Sequence, residues 1–305
     1  EVKDVPGCLH HPLWCGPERN YRDRPTVIGE IGPVNTPALI IMAHSDTVQL
    51  FYPEKWNVDP FGGVIKDGRI YGLGAGDDKW GIAAMLTVIR AVLNNEEELK
   101  KRLIFISTID EENGVSNGLL LLTLAGIKGE SVFYLDGCES KITIGNPGGS
   151  NLYIRPVKDI PSEVFDLHER LLNEECKKES KKRIDLFNIP FFCTSQDIEK
   201  SFVFYKREDS KGPFFLVAFY MPPGETKESL CRRLEDMICK VLGKDIELYK
   251  ISYRIPWFEP SITSPDVPFV KYLADSIKEV TQGEPVINIG GKQDSFIFRN
   301  YADIP

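Results

Sequence analysis

Ala38-Leu-Ile-Ile-Met-Ala-His-Ser-Asp-Thr47 is an apolar run that ends on an imidazole and a carboxylate. Such a run reads as a strand buried on both faces, the pattern of a parallel sheet with helices above and below it. Residues i and i+2 of a strand project from one face, so His44 and Asp46 point the same way. A metal-bound histidine usually gives its second ring N–H to a carboxylate, and Asp46 is placed to accept it. Taken alone, the pair fits a turn aspartate beside a surface histidine just as well.

Two further runs bear on the same chemistry. Gly74-Ala-Gly-Asp-Asp-Lys-Trp-Gly81 carries Asp77 and Asp78 into a stretch, Trp80 to Leu93, that is apolar on nearly every side and is expected to be a buried central helix. One aspartate is expected to cap that helix. Two adjacent carboxylates at a buried helix start repel and are costly to desolvate unless at least one meets a cation. Strand-like Arg102-Leu-Ile-Phe-Ile-Ser-Thr108 leads into Asp110, Glu111 and Glu112, three acids that need solvent or metal. In isolation such a triplet is usually a solvated acidic turn.

Outward from these runs the pattern alternates: strands at Thr26–Ile31 and Ala38–Ala43, a hairpin turning at Asp67-Gly68, the helix after Asp78, the strand Arg102–Thr108, a helix Leu119–Ala125 and a strand Val132–Leu135. The expected fold class is α/β, a mainly parallel sheet covered by helices. Ligands of such sheets sit at the C-terminal ends of the strands, where His44, Glu111, Glu112 and Asp136 all fall. Gly145-Asn-Pro-Gly-Gly149 reads as a linker or hinge. Beyond it come strand Asn151–Pro156, helix Ser162–Cys176, strands Ser201–Tyr205 and Phe214–Tyr220, helix Lys227–Leu242 and strand Ile246–Arg254. That order is βαββαβ, an inserted ferredoxin-like α+β lid domain. The expected division is a catalytic domain of residues 1–147 and 256–305, to which helix Val267–Thr281 and strand Val286–Ile289 return, with a lid of residues 148–255.

Bulk properties narrow the function classes. The 305 residues are 42% hydrophobic and 27% charged, ordinary for a globular protein, and no stretch is long and apolar enough to span a bilayer. A formal charge of −8 argues against nucleic-acid or anionic-membrane partners and favours small substrates. Seven cysteines at scattered positions look like reduced thiols, so a cytoplasmic location is expected. Cys8-Leu-His-His-Pro-Leu-Trp-Cys15 matches no common zinc-finger spacing and reads as a terminal loop. Cys138, two residues after Asp136, reads as a small buried side chain.

His44-Ser-Asp-Thr-Val48, Trp56 to Phe61 with its W-x-x-D-P-F spacing, Asp67 to Leu86 and Asp110-Glu-Glu-Asn-Gly114, in that order, resemble the M20 metallopeptidase and deacylase family. The likeness is dense from about Arg24 to Asp136 and resumes more weakly from Phe258 to Pro305. The family includes acetylornithine deacetylase, succinyl-diaminopimelate desuccinylase, aminoacylase, carboxypeptidase G2 and dipeptidases. The resemblance implies two divalent metal ions, with His44 and Asp136 on one, Glu112 on the other and Asp77 bridging both. It implies that Glu111 is the general base, that Asp46 orients His44, and that the Asp77–Asp78 peptide is cis. Histidine and carboxylate ligands suit zinc first, with cobalt or manganese tolerated. Two such ions about 3.5–4 Å apart lower the pKa of a shared water and polarise a carbonyl, which leaves proton transfer to Glu111. Adjacent Glu111 and Glu112 can divide these roles only if the backbone turns after the strand.

The implied function is a metal-dependent amidohydrolase that cleaves an N-acyl amino acid or a short peptide, with the lid binding substrate and a homodimer formed through it. A broad-specificity dipeptidase or exopeptidase of the same fold is an alternative. So is a relative that has lost catalysis and serves in binding or assembly, because the sequence departs from the family in two places. The stretch Arg155-Pro-Val-Lys-Asp-Ile-Pro161 lacks the family's lid histidine, leaving His168, expected to be partly exposed on the next helix. The basic run Lys177–Arg183 reads as a solvated face. Gly290-Gly-Lys-Gln-Asp294 resembles the family's glycine and aspartate motif, but no histidine follows His168, where the family's last metal ligand belongs. The chain is therefore expected to be a fragment, truncated at the C-terminus and at the N-terminus.

Overall fold

The computed structural model describes residues 5–15, 23–95, 99–112, 117–137, 141–183 and 201–305. Contacts divide the chain into two units: Glu1–Lys141 with Val267–Tyr272 and Ile297–Pro305, and Ile142–Asp266 with Leu273–Phe296.

The first unit runs β1 (Val27–Ile31), β2 (Ala38–His44), β3 (Val64–Lys66), β4 (Arg69–Tyr71), α1 (Trp80–Leu93), β5 (Arg102–Thr108), α2 (Asn117–Leu124) and β6 (Ser131–Tyr134). Its four-stranded sheet has the order β1-β5-β2-β6. The three strands β5, β2 and β6 are parallel, as the unbroken apolar runs require, while β1 pairs antiparallel with β5 and makes the sheet mixed. Side chains alternate across the sheet. Ile41, Leu103 and Phe105 pack with Met85, Ile89 and Val92 of α1, and Ile40, Met42, Ile104 and Ile106 are buried on the other face.

Helix burial differs from expectation. Only Gly81 and Met85 of α1 are buried, and Trp80, Leu86 and Leu93 are 42%, 58% and 54% exposed. A helix apolar all round carries no periodic mark of which stripe meets the sheet, and β2 and its neighbours cover one stripe. The helix enclosed on most sides is α2, where Asn117, Gly118, Leu119, Leu120, Leu122 and Thr123 are all buried. Its first residue also anchors the early cysteine segment: Cys15 N–H donates to Asn117 Oδ1 at 2.9 Å and Asn117 Nδ2 donates to the Cys15 carbonyl at 3.2 Å. Cys8 and Cys15 are buried, and Cys138 and Cys193 lie outside the described residues.

The second unit contains β7 (Lys141–Asn146), β8 (Gly148–Pro156), α3 (Ser162–Lys182), β9 (Phe202–Asp209), β10 (Gly212–Met221), α4 (Lys227–Leu242), β11 (Tyr249–Tyr253), β12 (Ser261–Ile262) and β13 (Val286–Ile289). Helices α5 (Pro268–Thr281) and α6 (Phe296–Ala302) contribute residues to each unit. The stretch β8-α3-β9-β10-α4-β11 has the βαββαβ connectivity read from the sequence, with antiparallel order β11-β8-β10-β9. Leu152, Ile154, Phe215, Val217 and Phe219 form its core with Phe165 and Leu172 of α3 and Leu230, Leu234 and Ile238 of α4. Thr226 caps α4, its hydroxyl accepting the Ser229 N–H at 3.2 Å. A second sheet has the order β12-β7-β13.

Three local expectations give way here. The Gly145–Gly149 cluster is not a free hinge: it is strand on both sides of Pro147, and Gly149, at φ 135, lies so close to the Phe219 carbonyl that no Cβ fits. His168 is buried, 2.8 Å from the Tyr249 hydroxyl and 3.2 Å from Asp245 Oδ2. The basic run is exposed at Lys177, Lys178, Lys181 and Lys182, as expected, but it ends on a fully buried Arg183, paired with Glu225, bonded to the Tyr220 carbonyl at 3.0 Å and lying 4.5 Å over the Phe202 ring. Charge runs predict solvation only where no acid reaches them from another element, and Glu225 does.

Candidate metal centre

The site is built by three adjacent parallel strands that end at one edge of the sheet. The β2–β5 register places His44 opposite Thr108, and Ser45 N–H locks the ends together by donating to the Thr108 carbonyl at 2.9 Å. On the other side Met42 pairs with Tyr134, and Leu135 N–H donates to the Met42 carbonyl at 2.8 Å, which sets Asp136 just past the end of β6. His44, the acidic turn after β5 and Asp136 are therefore side by side because the strands are parallel and in register.

Each acid has its own support. Asp110 is buried with φ 74, a left-handed conformation that aspartate tolerates, and it provides the turn that Glu111 and Glu112 need. After that turn the N–H groups of Glu111 and Glu112 donate to the two oxygens of Asp46, each at 3.2 Å. Glu112 Oε1 in turn accepts the Val48 N–H at 3.2 Å. Asp46 also faces His44: its Oδ1 is 3.4 Å and its carbonyl oxygen 3.2 Å from Nδ1. One carboxylate thus fixes both the imidazole and the glutamate turn. Burial works against the charged form of Asp46, but the His44 hydrogen bond and the two backbone donors overcome it and lower its pKa.

Asp77 and Asp78 precede α1, with a cis peptide between them as the resemblance implies. Asp77 Oδ1 lies 2.9 Å from His44 Nε2, although the Asp77 side chain is 65% exposed. Asp78 is fully buried, and its Oδ2 accepts the His44 backbone N–H at 3.1 Å. Neither carboxylate bonds an N–H group of α1, so the capping role expected of one of them is not seen. Gly81 makes Asp78's position available, since a Cβ there would sit 2.5 Å from Asp78 Oδ1.

These groups fit divalent cations. His44, Asp78 and Asp136 each present a ligand atom, all within 4.8 Å of one another. Asp78 Oδ1 is buried without a hydrogen-bond partner among the described residues, a costly state that a cation relieves. Burial, and then the charge of Asp136, push the Asp78 pKa up to about 7. Glu112 is raised as well, by burial and then by Asp77. For His44 burial alone would favour the neutral ring, yet the carboxylates of Asp46, Glu111, Asp77 and Asp136 outweigh it and carry the pKa to about 10. So many acids focused on one imidazole make a strongly negative site. An N and O donor set of this kind suits zinc, cobalt and manganese.

Of the residues read from the sequence, His44, Asp46, Asp77, Glu111, Glu112 and Asp136 all belong to this edge of the first unit, linked by the bonds and fields above. Asp78 was legible only as one of two alternatives. Gly81 and the Val48 amide carried no sequence signal, because a steric vacancy and a backbone donor have no residue signature. A separate groove of about 420 Å3 in the second unit, lined by Glu175, Glu179, Lys182, Arg233, Lys240 and neighbours, is occupied by side chains paired with each other.

A model of Peptidase family M20/M25/M40 matches residues 40–304. Over 127 residues the chain is 36% identical to a succinyl-diaminopimelate desuccinylase of Methylobacterium radiotolerans, a match covering 40% of this chain and 31% of that protein. The aligned stretch is thus about a third of the relative's length. Among solved structures, an M20 family metallo-carboxypeptidase from Sulfolobus solfataricus superposes with a TM-score of 0.64 at 20% identity, covering 90% of this chain and 77% of that one. The dipeptidase Dug1p of Saccharomyces cerevisiae gives a TM-score of 0.67 at 14% identity, covering 92% and 74%. At these identities the structural likeness speaks for the fold.

Proposed function

The chain belongs to Peptidase family M20/M25/M40, and from that premise we propose that it is a metal-dependent amidohydrolase cleaving the amide bond of an N-acyl amino acid or short peptide. The observation that carries this is the convergence of His44, Asp77, Asp78 and Asp136 on one strand edge, with Glu111 held beside them by Asp46. The desuccinylase relatives support an acylated amino acid as the substrate class.

We assign His44 and Asp136 to one ion, Glu112 to a second and Asp77 to both, with Asp78 as an additional candidate ligand. Bound divalent ions supply a Lewis acid for the carbonyl and lower the pKa of water near neutrality. Asp46 holds the His44 ring through Nδ1 and so leaves Nε2 directed at the ions. Glu111, anchored at its backbone N–H, accepts the proton of the attacking water and returns it to the leaving nitrogen. We further assign zinc as the metal, residues 148–255 as a substrate-binding lid and homodimer contact, and the cytoplasm as the compartment. The charge of −8 is the support for a small-molecule partner in place of nucleic acid or membrane. Among the described residues no helix is long and apolar enough to cross a membrane.

The test is metal analysis and turnover on acetyl-, succinyl- and glutamyl-amino acids and dipeptides, for the native chain and Glu111→Gln. Retained metal with turnover reduced about 10²–10⁴-fold is expected for loss of a general base. Equal turnover in both proteins removes Glu111 from that role.

A further inference from the structure

Resting on the hydrolase reading above, we propose that the loop after His44 carries an apolar shelf, formed by Val48, Phe51 and Tyr52, that receives a hydrocarbon arm of the substrate and so sets its preference. From Thr47 to Pro53 the chain has no charged residue. Val48, Phe51 and Tyr52 are nevertheless 41%, 60% and 59% exposed. Single exposed apolar side chains are ordinary, but three within five residues beside a polar centre point to a surface that a ligand covers. Val48 N–H donates to Glu112 Oε1 at 3.2 Å, so the shelf begins at a carboxylate of the metal centre. Phe51 is three residues further on, a distance of about 11 Å at most along the chain. An acylated amino acid with its carbonyl at the centre therefore has one end within reach of Phe51 and Tyr52.

The loop is held in place on both sides of these residues. Thr47 lies so close to Gly74 that a Cβ there would meet Thr47 Cγ2 at 2.2 Å. Tyr52 stands at φ 50, left-handed backbone that a bulky residue adopts only where its surroundings enforce it, and residues held in this way cluster at ligand clamps. Beyond it, Lys55 N–H donates to the Tyr52 carbonyl at 2.9 Å and Trp56 N–H to the Pro53 carbonyl at 3.2 Å, closing a single helical turn over Pro53–Lys55. Lys55 Nζ lies 4.2 Å from the centre of the Tyr52 ring, which orders the ring and takes up one of its faces.

The chemistry of the arm follows from this surface. Hydrocarbon laid on it gains in proportion to the apolar area removed from water. A second carboxylate, as on a succinyl group, meets no cation between Thr47 and Glu54 and faces the acids of the centre at Asp46, Glu111 and Glu112. The preferred arm is thus an uncharged hydrocarbon. An acyl chain and the side chain of the amino acid present that same chemistry to the shelf.

Calorimetric titration of the zinc-loaded Glu111→Gln chain, chosen so that the ligand is not consumed, tests this with N-acetylalanine, N-hexanoylalanine, N-acetylphenylalanine and N-succinylalanine. One of the two compounds with a hydrocarbon arm should bind about tenfold more tightly than N-acetylalanine, the gain for an arm covered on one side. Which of the two gains tells which end of the substrate lies on the shelf. N-succinylalanine should show no such gain. In the same chain carrying Phe51→Ser and Tyr52→Ser, with an unchanged thermal midpoint, the affinity ratio should fall to about one. Equal affinity for N-acetylalanine and both hydrocarbon compounds overturns the shelf, as does a ratio that survives the double substitution. A gain by N-succinylalanine equal to that of the hydrocarbon compound overturns the apolar assignment. An intact affinity ratio with no turnover of any of the four by the native chain supports the shelf and fails the hydrolase reading alone.

Discussion

Replacing Gly81 by alanine is expected to disable the centre without substituting any of the ligand residues themselves. A Cβ at this position lies 2.5 Å from Asp78 Oδ1 and 3.0 Å from its Cγ, inside contact distance of a buried carboxylate that is held by the His44 N–H. Helix propensity alone favours alanine by about 0.8–1.0 kcal/mol. Against this stand overpacking, about 1–3 kcal/mol, and loss of a hydrogen bond to a charged group, about 1.5–3 kcal/mol. Because these opposing contributions are larger, a net loss of about 2–5 kcal/mol is expected in urea unfolding of the metal-free protein. Displacing Asp78 also disturbs the support of His44, and changes of that kind weaken metal affinity about 10–100-fold. Zinc titration by competition with a chromophoric chelator reads the second effect. Gly76→Ala is the control, since nothing lies within 4 Å of its Cβ position and it is expected to be near neutral. If Gly81→Ala gains the stability that propensity alone would give and binds zinc as the native chain does, Asp78's placement is irrelevant to the site.

Three other outcomes follow from the geometry. In metal-free protein the His44 pKa is raised from 6.5 to about 10, so its contribution to stability is complete below pH 6.5 and is lost as pH rises toward 10. Metal must displace that proton, so zinc affinity should climb over the same interval, and a flat pH profile would contradict the shift. Glu225→Gln leaves buried Arg183 without its carboxylate and should cost about 3–5 kcal/mol in urea unfolding; a loss below about 1 kcal/mol, the range of exposed pairs, would count against a desolvated pair. Thr226→Ala removes the cap of α4 and should cost about 1 kcal/mol, whereas an unchanged midpoint would show that the Ser229 amide has another acceptor.

The sequence made the centre legible where chemistry and strand geometry coincide. His44, Glu111, Glu112 and Asp136 follow apolar runs whose parallel pairing brings their ends together, and both facts are written locally in residues 38–47, 102–112 and 132–136. The βαββαβ order was visible for the same reason, since its strands and helices each carry their own period. What was not legible depends on partners distant in the chain. The burial of His168 is decided by Tyr249 and Asp245, and that of Arg183 by Glu225 and Phe202. The exposure of α1 depends on how much of an all-apolar helix the sheet covers, and the antiparallel β1 on a pairing with β5 that no local pattern marks. Asp110 shows the intermediate case: a turn was required between Thr108 and Glu111, but its left-handed conformation is visible only in the backbone.

Crystals soaked in zinc and measured on either side of the zinc absorption edge address the metal centre most directly. Anomalous density is expected within ligand distance, about 2.0–2.2 Å, of His44 Nε2 and an Asp77 oxygen, with Asp136 completing the shell. Density confined to surface histidines, with none near His44 and Asp77, would contradict a metal centre at this strand edge.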